Sequence, residues 1–354
     1  GPFVVFIIIV AAGVGTWWLW PEIGEVDATL RHEATPELAT RAAEPPSTAL
    51  VEFDPNPLPT DSPAAIPEPV AAVPPAMPEV AVVEVEPIVS PSVEPSLPAP
   101  TGVLDEAAAL IRSGDVVAAR ATLSKALRTR TLSATEAADV RGTLTVLNNG
   151  MIFGAEVTPG DPFTRLYEIK SGDALSRIAN RESLKTNWRF LQRINGIADP
   201  SRIRVGQRIK VVQGPFHAEV DKRAHRIDLW LGEGDEAVFI RSLPVGLGEF
   251  GSTPEGAFRV RRGGKMVNPP WTNPRTGERF AAADPNNPIG EYWIGLDGID
   301  PHNLQEQGFG VHGTIDPESI GEDRSMGCVR LADDDIALVY EMLTEGNSVV
   351  LIRE

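Results

Sequence analysis

The one cysteine of this 354-residue chain, Cys328, stands between Gly327 and Val329, and His312 lies a loop's length upstream. A thiol with an imidazole in reach is the composition of a thiolate nucleophile and its general base. Gly327 permits close backbone approach, which makes the amides of Gly327 and Cys328 candidates to face a developing oxyanion. Other readings stand beside this one. A lone cysteine is often a small buried hydrophobe. A metal set drawn from Cys328, His312, His302 and Asp316 lacks the paired ligand spacings of zinc sites, so neither metal nor cofactor is expected. Ser325 is a poorer nucleophile than the neighbouring thiol, whose ordinary pKa of about 8.5 demands far less activation than a hydroxyl.

Such a pair needs a scaffold, and the region 217–353 alternates short apolar runs with glycine and proline, the pattern of a mostly β domain. In RIDLWL, residues Ile227, Leu229 and Leu231 fall on one strand face. One helix interrupts the pattern: Asp333 is its expected cap, Ile336, Val339, Tyr340 and Leu343 form its apolar stripe, and Gly346 stops it. The run SVVLI closes the chain as a strand.

Ahead of this domain the composition changes repeatedly. Residues 1–20 hold an uncharged apolar run ending in Trp17, Trp18 and Trp20. As a helix that run reaches about 27 Å, the thickness of a bilayer core, with tryptophans where an interfacial belt belongs. It reads as an uncleaved transmembrane anchor, the alternative being the core of a signal peptide with Ala11-Ala12-Gly13 near its cleavage point. Either way the remainder is exported to the extracytoplasmic side. Residues 21–102 are rich in proline and glutamate, with Phe53 as their single aromatic residue. Missing backbone donors and self-repelling charge rule out a packed core, so the segment reads as a disordered linker able to extend on the order of 200 Å. From 103 to 153 alanine and leucine recur at helical spacing around a Ser113-Gly114-Asp115 turn, and Ser133 with Glu136 forms a capping box, giving a small helical spacer. The net charge of −17 argues against a nucleic-acid partner, and one cysteine excludes an internal disulfide.

Residues 165–213 pattern as strand, two short helices and strand. The segments YEIKSGDALSRIA, LQRINGI and IRVGQRIKV occur there in order, and the module resembles a LysM domain. That resemblance implies a βααβ fold that binds the glycan of peptidoglycan or chitin. Further on, STPEGAFRV, NPPW, NPIGEYWIGL, VHGTIDPESIG and SMGCVRL resemble, in order, the L,D-transpeptidase catalytic domain of the YkuD type.

By this second resemblance Cys328 is the nucleophile, His312 its base, and Gly313 the residue whose carbonyl orients the imidazole. Ser325 and the amides at Gly327 and Cys328 shape the oxyanion site, and Arg330 lies beside the substrate. Asn268 and Trp271 are candidate walls of the substrate groove. The chain departs from the commonest form of the motif at Met326, where many members carry histidine; a methionine neither titrates nor donates a hydrogen bond. The implied activity is 3-to-3 cross-linking of peptidoglycan through a cysteine acyl-enzyme, with the glycan held by the LysM module, the stem by the catalytic domain, and the membrane by the N-terminal helix. Two alternatives remain: an L,D-carboxypeptidase using the same thiol, and a non-catalytic wall-binding anchor.

Overall fold

A computed structural model describes residues 102–354. The transmembrane anchor expected at 1–20 and, but for Gly102, the disordered linker expected at 21–102 lie outside these residues. Among the described residues no helix is long and apolar enough to cross a membrane.

Three helices come first: α1 (Val103–Arg112), α2 (Val116–Thr129) and α3 (Ala134–Met151). Asp115 caps α2 by accepting from the Ala118 amide at 3.0 Å. Ser133 and Glu136 close a reciprocal capping box on α3. Next come β1 (Thr164–Glu168), α4 (Leu175–Arg181), α5 (Trp188–Ile194) and β2 (Arg208–Val212), with β1 and β2 paired antiparallel and Leu175, Ile178, Phe190, Leu191 and Ile194 buried beneath them.

The rest of the chain supplies β3 (Phe216–Asp221), β4 (Arg226–Leu231), β5 (Val238–Pro244), β6 (Leu247–Gly248), β7 (Gly256–Val267), β8 (Trp271–Thr272), β9 (Arg279–Phe280), β10 (Tyr292–Gly298), β11 (Gly310–His312), β12 (Asp323–Ser325), β13 (Val329–Arg330), α6 (Asp333–Met342) and β14 (Val349–Arg353). Eight of these strands form one sheet in the order β13-β11-β10-β7-β14-β3-β4-β5. The β11–β13 and β14–β3 pairs are parallel, while β12 pairs β6 in a separate ribbon and β8 pairs β9. Helix α6 buries Ile336, Val339, Tyr340 and Met342. Its N-cap is Ala332 and not Asp333; Asp333, Asp334 and Asp335 fill the first turn, where their charge favours the positive end of the helix dipole.

The helical segment expected as a spacer packs directly on the sheet. Edge strand β5 inserts Phe239 among Ala119, Leu123, Val140 and Leu144 of α2 and α3. Its unpaired backbone groups find side-chain partners: Phe239 N donates to Ser124 Oγ at 3.0 Å, and Asn148 Nδ2 donates to the carbonyls of Phe239 and Ile240 at 2.8 and 3.1 Å. Strand β4 is accordingly covered on both faces, with Ile227, Leu229 and Leu231 in the main core and Trp230 against the helices.

The βααβ module is fastened to the same helices. Lys210 of β2 is fully buried and donates to the carbonyl of Met151, the last residue of α3, at 2.5 Å and to those of Gly154 and Glu156 just beyond it at 2.9 Å each. Burial pulls its pKa down to about 8. Phe190 of α5 meets Phe216 of β3 edge-on at 5.2 Å, which makes the module's core continuous with that of the sheet.

Candidate active site

The site is assembled by strand register. In the β10–β11 pair Trp293 stands opposite His312, and in the β11–β13 pair His312 stands opposite Arg330. The row below holds Gly295 opposite Gly310, with Cys328 at the next place because it directly precedes β13. Since strand side chains alternate between faces, Trp293, His312, Arg330 and Cys328 share one face of the sheet. The Leu331 amide donates to the His312 carbonyl at 2.9 Å and locks this register.

His312 is buried, and its Nδ1 lies 2.6 Å from the Gly313 carbonyl. A carbonyl only accepts, so the proton sits on Nδ1 and the Nε2 lone pair is left available. Burial drives the imidazole pKa down to about 4, against the Gly313 and Ile289 carbonyls, which favour its protonation. Burial likewise pushes the Cys328 thiol up to about 11, while the Gly310 amide and the Arg330 charge favour the thiolate. Near neutral pH the resting pair is a thiol and a neutral imidazole. The Cys328 Sγ lies 4.0 Å from the Gly308 carbonyl.

The turn before the cysteine is held from within. Ser325, buried, donates from Oγ to the Cys328 carbonyl at 2.6 Å and accepts the Gly327 amide at 3.1 Å. This corrects one expectation. The Gly327 amide, expected to face an oxyanion, turns back into the loop onto Ser325 with Gly327 at φ 125°, leaving the Cys328 amide as the remaining member of that pair. Glycine is required here twice over, since a Cβ on Gly248 of β6 would lie 2.7 Å from the Gly327 Cα.

Arg330 is half-buried, and its Nε has no hydrogen-bond partner among the described residues. Burial lowers its pKa, while Asp316, Cys328 and Glu249 support its charge. Asn268 follows β7, exposed and left-handed at φ 50°, with its amide donating to Glu291 at 2.6 Å. Trp271 stacks on Phe280 within the β8–β9 ribbon, at 5.9 Å. That ribbon is tied by Arg275 to Glu249, 3.2 Å away, and so leans toward the segment after β6. The structure thus brings Cys328, His312, Gly313, Ser325, Gly327 and Arg330 together through β11, β12 and β13, with Asn268 at the end of β7 and Trp271 in the β8–β9 ribbon. Sequence reasoning missed Trp293, which stacks on His312 at 5.7 Å and 18°. It also missed buried Asn287, whose Nδ2 donates to the Pro269 carbonyl at 2.8 Å. Only the strand register reveals the first; the second lay inside a quoted motif without a visible role. Among the described residues no cluster of histidine, cysteine and carboxylate has the makings of a metal site.

The chain is similar to known proteins over both of its C-terminal modules. Residues 215–352 match the family model of the L,D-transpeptidase catalytic domain, and residues 167–212 match that of the LysM domain. A Bacillus subtilis protein named L,D-transpeptidase YkuD is 27% identical over 198 residues, covering 53% of this chain and 98% of its own length. Its Bacillus licheniformis namesake is 26% identical over 192 residues, covering 52% and 96%. A second Bacillus subtilis protein, named L,D-transpeptidase YqjB, is 30% identical over 138 residues, covering 39% of this chain and 72% of its own. The chain belongs to the L,D-transpeptidase family of the YkuD type, with a LysM domain ahead of its catalytic domain.

Proposed function

We propose that this protein forms 3-to-3 peptidoglycan cross-links through a thioester on Cys328, with the LysM module holding the glycan. The observation that carries the reading is the juxtaposition, on one sheet face, of Cys328 with a histidine whose tautomer leaves Nε2 free. His312 Nε2 takes the Sγ proton as Sγ attacks the carbonyl carbon of the third residue of a tetrapeptide stem. The tetrahedral oxyanion is met by the Cys328 amide. The bond to the terminal D-alanine breaks, and its nitrogen receives the proton from the imidazolium. An amine of a second stem then attacks the thioester, passing its own proton through His312 back to sulfur. Arg330, charged and with an unpartnered Nε, suits a carboxylate of the stem. Water in place of the amine makes the same enzyme an L,D-carboxypeptidase.

Modules that act on and bind peptidoglycan imply a place in the cell envelope. The apolar run at residues 3–20 is read as the membrane anchor and the segment 21–102 as the tether that lets the folded part reach the wall. The test is incubation of the purified chain with disaccharide tetrapeptide. Cross-linked dimers and free D-alanine are expected, and both disappear in Cys328→Ala; an identical product profile from wild type and Cys328→Ala overturns the reading.

A further inference from the structure

The indole of Trp293 is placed with more care than a core residue requires. It faces His312 across the β10–β11 pair, with the rings stacked at 5.7 Å and 18°. The space it fills is kept open by two glycines of the next row. A Cβ on Gly310 would come within 2.9 and 3.0 Å of the indole Cζ2 and Cη2, and a Cβ on Gly295 within 3.2 Å of its Nε1. The indole therefore lies over the backbone of the strand pair, from the imidazole toward the position beside Cys328. The same imidazole is held at its edge by the Gly313 carbonyl, 2.6 Å from Nδ1, with the Ile289 carbonyl also favouring its protonation. Hydrogen bonds at the ring's edge do not fix its tilt about the bond joining ring to Cβ, a torsion that is intrinsically broad for histidine. A flat partner stacked on the ring does.

We propose that Trp293 is a positioning residue for the thiol chemistry: its indole sets the plane of the His312 imidazole so that Nε2 is presented to Cys328, and its π-face favours the imidazolium formed as the proton arrives. The proposal rests on the reading of His312 as the base. Its electrostatic half follows from the position of Arg330, which stands on the opposite side of His312 and disfavours a second positive charge there. An aromatic face is attractive to a cation and acts against that repulsion. The stack also shields one face of the ring from water, so the proton has fewer competing acceptors.

The test uses Trp293→Phe and Trp293→Leu in the full chain, with His312→Gln as reference. Turnover of disaccharide tetrapeptide and the pH profile of Cys328 alkylation by iodoacetamide are measured. Trp293→Leu is expected to lower kcat by about tenfold or more with KM within about twofold, because misplacing a catalytic group acts on the chemical step. Trp293→Phe, which keeps an aromatic face, is expected to recover most of the loss, ending about twofold to threefold below wild type. Alkylation near neutral pH is expected to fall in the same order. Wild-type kcat in Trp293→Leu, equal losses in both variants, or a change confined to KM overturns the proposal. If circular dichroism shows Trp293→Leu unfolded, Gly295→Ala replaces it, since its methyl group crowds the indole edge; wild-type kcat there overturns the proposal equally. His312→Gln separates the two levels. If it turns over substrate like wild type, the base assignment fails; if it is inactive while Trp293→Leu keeps its kcat, only the stacking role falls.

Discussion

The guanidinium of Arg120 and the carboxylate of Asp161 meet at 2.7 Å with both side chains shut off from water, at 1% and 0% exposure. Arg120 belongs to α2, and Asp161 stands before β1, where it also accepts the Thr164 hydroxyl at 3.0 Å and the Phe163 amide at 3.1 Å. The pair welds the helical segment to the segment leading into the LysM module. A buried pair loses far more when one partner is removed than when both are replaced by apolar groups. Asp161→Ala is therefore expected to destabilise the folded unit by about 3–5 kcal/mol, and Arg120→Met with Asp161→Leu to recover most of that. Urea unfolding of the two variants measures the difference, and equal midpoints contradict the assignment.

Stability responds to acid through the buried imidazole of His312. Its pKa lies at about 4 in the folded chain against an ordinary 6.5. Between those values the unfolded chain binds a proton that the folded chain refuses, so this stability is complete above about pH 6.5 and is lost as the pH falls toward 4. Its size is about 3 kcal/mol. His217, pushed down to about 4 by its own burial, acts in the same direction. Melting temperatures of wild type and His312→Gln across this window should diverge, with the variant showing the shallower decline; parallel curves rule the contribution out.

The thiol of Cys328, held up at about 11, should alkylate slowly at neutral pH and about tenfold faster for each pH unit above it until the thiolate is fully formed. Arg330→Gln removes a charge that favours that thiolate, so alkylation near pH 8 should slow by a few-fold. A rate that levels off near pH 7 would mean the thiolate is already formed in the resting site.

Phe250 carries two local penalties. It is fully exposed, at 101%, and adopts a left-handed conformation at φ 55°, ψ 31°. Left-handed backbone costs an L-residue about 1–2 kcal/mol, part of which glycine gives back through the entropy of the unfolded chain. Phe250→Gly is expected to raise stability by about 0.5–1 kcal/mol, read as a higher melting temperature.

Much of this architecture was legible from local pattern. The helices of residues 103–151 follow from alanine and leucine spacing and from the caps at Asp115 and Ser133, because these signals act within a few residues. What escaped depends on partners distant in sequence. Lys210 reads as an outward polar residue of a strand, and is buried because the carbonyls past α3 need donors. Asp228 and Trp230 read as the wet face of β4 until α2 and α3 cover it; Asp228 then pairs with Arg141 at 3.0 Å. Cys328 and His312 were visible by residue type, but the amide of Gly327 was misassigned, since only the loop geometry shows Ser325 taking it. Trp293 was invisible as a functional residue because nothing local reports which residue a strand places opposite another.

The cover that α2 and α3 place over β5 has a counterpart at the far side of the sheet. There β13 is bridged to Gly246, the two backbones exchanging hydrogen bonds of 3.0 and 2.8 Å between Gly246 and Arg330. The sheet's margins are thus covered at Phe239 and Ile240 of β5 and at Arg330 of β13. An incoming chain meets helices at one margin and Gly246 at the other, so recognition at these places rests on side chains and loop amides instead of generic backbone pairing.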